Sequence, residues 1–218
     1  MKRFILITLC LYSFCQAVFG QIIRGGIASG VNLSQVDGDR YYGYRKKGLN
    51  VSAFALMPIY KNFYFNAEIC YSQKGSKEKP YYPTDTTDGS YKLFLDYAEM
   101  PIMINYFDKN IVLAGAGIVF GRLVRTEEWY NSSKVTYSKN PYSSNDISWV
   151  ANVAFKLKKG FYLNLRYQYS LGKIRTKSFD NEIRNQFNNL VSIRLMYIFK
   201  DFKNEKNSME SAYNNYSY

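Results

Sequence analysis

The sequence contains no histidine. That absence removes imidazole metal ligands, and with them every Ser–His or Cys–His catalytic arrangement. Cysteine is almost as scarce, with only Cys10, Cys15 and Cys70. The first two lie in an apolar leader, so its removal leaves Cys70 alone. One thiol forms no internal disulfide, and a single interior cysteine is expected to act as a small hydrophobe. After the N-terminus, no stretch approaches the ~20 apolar residues of a spanning helix. Acidic residues are few, 17 against 29 Lys and Arg, for a formal net charge of +12. No cofactor or metal is expected. Asp37, Gly38 and Asp39 invite a calcium reading, but the further acidic positions and closing Glu of such a loop are missing, and turn chemistry accounts for the triplet.

The leader reads as a secretory signal. Lys2 and Arg3 supply the charged start and Phe4 to Phe14 the apolar segment. Val18 and Gly20 stand three and one residues before an expected cut between Gly20 and Gln21. Bulky Leu9 and Phe14 precede the two leader cysteines, which argues against lipidation. Removing residues 1–20 takes away two positive charges and no negative ones, leaving +10.

Aromatics are plentiful at 18%, and from Gly26 to Phe199 the chain alternates apolar and polar residues. In Phe63 to Ser72, Phe63, Phe65, Ala67, Ile69 and Tyr71 fall on one face and Tyr64, Asn66, Glu68, Cys70 and Ser72 on the other. Period two over that length marks a strand between two environments. The pattern recurs in 96–106, 161–170 and 190–199, and more weakly in 26–34, 49–57, 111–123 and 148–157. Eight strands result, each near the ~9–11 residues of a tilted membrane crossing.

The links between them alternate. Pro58–Asn62, Phe107–Asn110 and Lys158–Gly160 are tight; Gln35–Lys47, Lys74–Lys92, Val124–Asp146 and Gly172–Phe187 are long. Long and short connections in strict alternation predict an all-β fold, an eight-stranded antiparallel transmembrane up-and-down β-barrel with short periplasmic turns and long extracellular loops. A soluble calyx, apolar side inward around a ligand, is the structural alternative. Charges at mid-strand on the polar face favour the polar-inside arrangement. The expected organisation is a signal at 1–20, a barrel at 21–199 and a polar, disordered periplasmic tail at 200–218.

These segments resemble a known family. "GGIASGVNLSQVDGD", "NFYFNAEICYSQKGS", "LDYAEMPIMINYF" and "FYLNLRYQYSLG" are similar to the PorT-like outer-membrane β-barrel family of Bacteroidota over about residues 24–199. The resemblance implies a barrel in the outer membrane of such a bacterium. The family's founder is linked to type IX protein secretion, a role that shape motifs do not carry over. The polar tail after Phe199 departs from the family's habit of ending at the last strand.

Candidate functional residues fall into three groups. Glu68, Glu99, Arg166 and Arg194 share the polar face and are expected to pair within the lumen, because an isolated buried charge is expensive. A structural plug is the plain reading, and a gated proton or ion path the alternative. Arg40, Arg45, Lys46, Lys47, Lys77, Lys79, Arg125, Lys173, Arg175 and Lys177 lie in or beside the long links, with Lys74, Arg122, Lys134, Lys139 and Arg184. Cations beside an anionic leaflet gain ~1 kcal/mol each, so they are expected to dock on lipopolysaccharide phosphates; a generic solvated surface is the alternative. Nucleic acid is not an expected partner, since no recognition motif is present and the charge is spread over loops. The third group is aromatic. Tyr60, Phe63, Tyr106, Phe107 and Phe161 near the short turns, and Tyr71, Trp129 and Tyr169 near the long loops, would form interfacial girdles. Tyr197 and Phe199 resemble a C-terminal signal for the outer-membrane assembly machinery.

The expected function is therefore non-enzymatic: a structural or interaction barrel of the cell envelope, in contact with outer-membrane lipids and possible envelope proteins. A secretion accessory, and a narrow transporter or outer-membrane enzyme, are the alternatives.

Overall fold

Alternating runs longer than a membrane is thick force a choice about where each strand ends. In the computed structural model, which describes residues 23–79, 89–109, 111–179 and 182–199, the strands run well past the apolar belt. They are β1 (Arg24–Asp37), β2 (Lys46–Tyr60), β3 (Phe63–Glu78), β4 (Tyr91–Asp108), β5 (Val112–Tyr130), β6 (Ser133–Val135), β7 (Asn145–Lys158), β8 (Phe161–Ser170), β9 (Arg175–Phe179) and β10 (Glu182–Ile198). Eight of them pair in the order β1-β2-β3-β4-β5-β7-β8-β10, and β10 pairs back with β1 to close the ring. Every pairing is antiparallel between neighbours in the up-and-down path. Short β6 and β9 add to β5 and β10 in the long-loop region.

The eight expected strands are all present, but most are longer than expected. β5 has 19 residues and β4 18, where the sequence predicted only 111–123 and 96–106. The long links shrink accordingly. The cause is an inversion of polarity along each hairpin. In the belt, outward residues are apolar (Met100, Ile102 and Ile104 on β4) and inward ones polar (Glu99 and Asn105). Beyond it, Leu93 and Leu95 point inward while Lys92 faces water. The strand continues, although its sequence no longer reads as a membrane strand.

A bulge marks the change. Tyr97 pairs with Leu123 but Asp96 pairs with Arg125, so Val124 is an extra residue on β5. Such an insertion shifts the side-chain parity of the strand that carries it. Below the bulge Val119 and Gly121 face inward; above it the inward residue is Glu128.

The interior is layered. At the short-turn end, Phe54, Leu56, Tyr64, Phe107, Leu113 and Tyr162 form an apolar cluster with their neighbours. Charged and amide side chains occupy the middle. At the long-loop end Val36, Tyr91, Leu93, Leu95, Tyr97, Tyr142 and Ile174 form a second apolar cluster. Phe107 was expected in the lipid-facing girdle and is instead 3% exposed inside the barrel. Its neighbour Tyr106 takes the outward position, stacked at a tilt against Phe63 with ring centroids 5.1 Å apart. The described ends of the barrel meet at the short-turn side, where the Phe199 N–H donates to the Gly25 carbonyl at 3.0 Å. The proposed cut at Gly20–Gln21 and the tail at 200–218 lie outside the described residues.

Candidate functional site

The inward parity of β3, β8 and β10 places Glu68, Arg166 and Arg194 on facing walls of the ring. Arg166 donates through both terminal nitrogens to Glu68, at 3.2 and 2.6 Å. Arg194 Nη1 donates to Glu68 Oε1 at 2.6 Å. Asn164 Oδ1 accepts from Arg194 Nε and Nη2, at 2.9 and 2.7 Å, and Asn50 and Ser52 lie within reach of Nη1. Cys70 sits beside this group, buried, its thiol directed at Asn50 Oδ1 at 3.5 Å.

Glu99 belongs to a second cluster, separate from the arginines. Its partner is Lys74, Nζ to Oε1 at 2.7 Å, and Gln168 Nε2 donates to the same oxygen at 2.9 Å. Lys74 also reaches Asp146 at 3.2 Å, and lies 4.7 Å from the centroid of the Tyr97 ring. Asn188 Nδ2 donates to the same Asp146 oxygen at 2.9 Å. All the charged groups in both clusters are almost wholly removed from solvent. Such groups persist only when every one has a counter-charge and further hydrogen bonds.

The outer wall is apolar and the inner wall is charged. A family profile, that of the outer membrane protein beta-barrel domain, matches residues 19–175. The chain belongs to that family.

This outer-membrane barrel is similar in architecture to several solved structures. Ail, the attachment invasion locus protein of Yersinia pestis, is 13% identical with a TM-score of 0.42, covering 78% of this chain and 97% of Ail. Neisserial surface protein A is 15% identical with a TM-score of 0.42, covering 80% and 95%. OprG of Pseudomonas aeruginosa is 12% identical with a TM-score of 0.40, covering 82% and 95%. No curated protein matches the chain in sequence.

On the outer-membrane barrel the long-loop cations divide. Arg40, Arg45, Lys47, Lys77, Lys79, Arg125 and Lys173 are exposed, and Lys177 is partly so. Several engage local carboxylates: Arg45 with Glu78, Arg125 with Glu127, Lys177 with Glu128. Lys46 and Arg175 turn inward, contrary to the expectation that they meet lipopolysaccharide. Lys46 is 5% exposed, its ammonium 4.6 Å from the Phe94 ring centroid and bonded to the Lys47 carbonyl. Arg175 is 9% exposed and sits among Glu128, Tyr142 and Tyr137, at 2.8, 2.8 and 3.2 Å. Lys74, grouped with the loop cations by sequence, is in the lumen, because β3 continues through it with inward parity.

Three members of the buried charge networks were not placed there by sequence: Lys74, read as a loop cation, Asp146 and Glu128. Parity gave a usable signal for the first, since Lys74 lies six residues from Glu68 and therefore on the same face of β3. Asp146 stood at the edge of an expected loop. Glu128 was hidden by the bulge at Val124, upstream of which parity predicts the opposite facing.

In the first long loop, Asp39 is buried, accepts the Tyr41 N–H at 2.8 Å, and follows Gly38, whose φ is +90°. Burial pushes its carboxyl up to about 6, against the pull of hydrogen bonds from Ser76 and Tyr41, with the Asp37 charge adding to the rise.

Proposed function

We propose that this protein is a non-enzymatic outer-membrane barrel whose lumen is filled by its own side chains, and which acts through the surfaces it presents outside the membrane. The observation that carries this reading is the carboxylate of Glu68 on β3, gripped by Arg166 and Arg194 from the paired strands β8 and β10 across the ring at 2.6 Å each. A narrow conducting path would have to solvate these groups; here the two guanidiniums bond directly to the one carboxylate. The same pairing argues against acid–base work, since Glu68, Glu99 and Asp146 are each held by cations and the neighbouring Cys70 thiol is buried against Asn50.

The test is conductance in planar bilayers with heat-modifiable protein from the outer-membrane fraction. The expected result is no steady single-channel current. Reproducible openings in the wild-type protein would overturn the filled-lumen reading in favour of a narrow transporter.

The exposed cations Arg40, Arg45, Lys47, Lys77, Lys79, Arg125, Lys173 and Lys177 fit contact with lipopolysaccharide phosphates at the cell surface. Placement in the PorT-like branch of Bacteroidota barrels is supported by Gly30-Val31-Asn32-Leu33 on β1 and by Tyr97, Glu99 and Pro101 on β4. A secretion role rests on that resemblance alone; affinity capture through residues 200–218 that yields no secretion component would remove it.

A further inference from the structure

The lipid face of the barrel is not uniformly smooth. Across β3, β4, β5 and β7 runs a groove of about 550 Å3, walled by Ile69, Met100, Phe120 and Ile147. Ala98 is its small residue, and Arg122 with Asn145 stands at its upper end. The pairings place these positions in rows. Met100 lies beside Phe120 and Phe120 beside Ile147; one row nearer the long loops, Ala98 lies beside Arg122 and Arg122 beside Asn145.

Arg122 is unusual among the cations of this surface. It points outward, is exposed, and donates to the neutral Asn145 Oδ1 at 2.8 Å. Among the described residues no carboxylate forms an ion pair with it. Arg125, the next outward cation above, is committed to Glu127 at 3.0 Å and approaches Asp96 at 3.9 Å. A guanidinium at the edge of a hydrocarbon belt with no acidic partner favours an anion from the membrane itself. Its planar donor fork suits phosphate oxygens. The groove below it offers apolar contact along the direction in which an acyl chain hangs.

We propose that this groove is a specific lipid site. It takes one acyl chain of a phosphorylated glycolipid of the outer leaflet, while Arg122, oriented by Asn145, binds that lipid's phosphate. The leaflet follows from the groove's position at the long-loop end, so the inference rests on the outer-membrane reading above. It differs from diffuse attraction by the loop cations in requiring both a filled groove and one particular arginine.

The experiment is native mass spectrometry of the full-length barrel from dodecylmaltoside, titrated with hexa-acylated lipid A. Heat-modifiable gel migration of each sample shows separately that the barrel is folded, so failure of the barrel reading is visible on its own. Arg122→Gln is expected to weaken binding about fivefold, the effect of ~1 kcal/mol. Ala98→Phe, which fills the groove from the lipid side without entering the core, is expected to weaken it at least as much. Dephosphorylated lipid A should lose affinity for the wild type and little for Arg122→Gln. The paired variant Lys158→Gln/Lys159→Gln, at a short turn away from the groove and outside the loop cations, should bind as wild type does. Unchanged affinity in either Arg122→Gln or Ala98→Phe would overturn the site, as would an equal loss in the Lys158/Lys159 variant. Equal competition by phosphatidylglycerol would overturn the choice of glycolipid.

Discussion

Glu68 on β3 and Arg166 on β8 are 98 residues apart in sequence and meet as a two-bond pair across the barrel interior. Arg194 of β10 joins them at 2.6 Å. The three together bind walls that no backbone ladder connects directly, because β3 and β8 are not neighbours in the ring.

Removing the shared carboxylate should therefore be severe. Glu68→Gln leaves two buried guanidiniums without a counter-charge, and loss of about 3–5 kcal/mol is expected. Urea unfolding in detergent micelles, followed by heat-modifiable migration, measures it. Replacing Glu68, Arg166 and Arg194 together with Leu and Met should cost much less, since no charge is then stranded. An equal cost in both variants would refute the ion-pair account.

Lys74 and Lys77 lie three residues apart on β3 yet face opposite ways. Lys74→Met strands Glu99 and Asp146 and should destabilise by about 3–5 kcal/mol. Lys77→Met changes an exposed side chain and should stay within about 0.5 kcal/mol. The same unfolding assay compares them.

Asp39 makes stability depend on pH with an unusual sign. Its folded-state value, raised to about 6, lies above the ordinary carboxyl value. The folded state thus holds the proton more tightly, and this group's contribution is fully present below the unfolded value, near 4, and lost as pH rises through about 6. Asp39→Asn should abolish that component. The stability difference, wild type minus variant, should fall between pH 4 and 7; a difference that is flat or rises would contradict the assignment.

Gly75 takes a φ of +128°, and a Cβ placed there would clash with the Leu93 carbonyl oxygen. Gly75→Ala should destabilise by more than about 1 kcal/mol, from strain and from displacement of β4. Gly172→Ala, with open space around it, is the matched control.

Phe199 closes the last strand with its ring 5.8 Å from that of Tyr197, and it is well exposed. If these two residues are read during assembly, Phe199→Ser should slow appearance of the folded form in cells. Refolding of the purified variant into detergent should remain close to wild type. A matching defect in both settings would assign Phe199 to stability instead.

Most of the architecture was legible because the two faces of a lipid-embedded strand differ so sharply. Ile69 next to Cys70, or Leu165 next to Arg166, can be read without coordinates. The loop ends were not legible in the same way. There water wets the outside and the hairpins bury Leu93, Leu95 and Tyr142 among themselves, so apolar and polar exchange faces without a break in the strand. The site was half legible: parity assigned Glu68, Glu99, Arg166 and Arg194 to one interior, but not their partners.

Local order alone determined the eight crossings, the alternation of short and long connections, and which residues share a face, since each depends on neighbours close in sequence. Only closure of the ring decided that Glu99 answers to Lys74 while Glu68 answers to two arginines, and that Arg175 and Lys46 turn away from the surface. Those choices depend on the stagger between strands and on one extra residue at Val124. Register is a property of pairs of strands, and no single strand contains it.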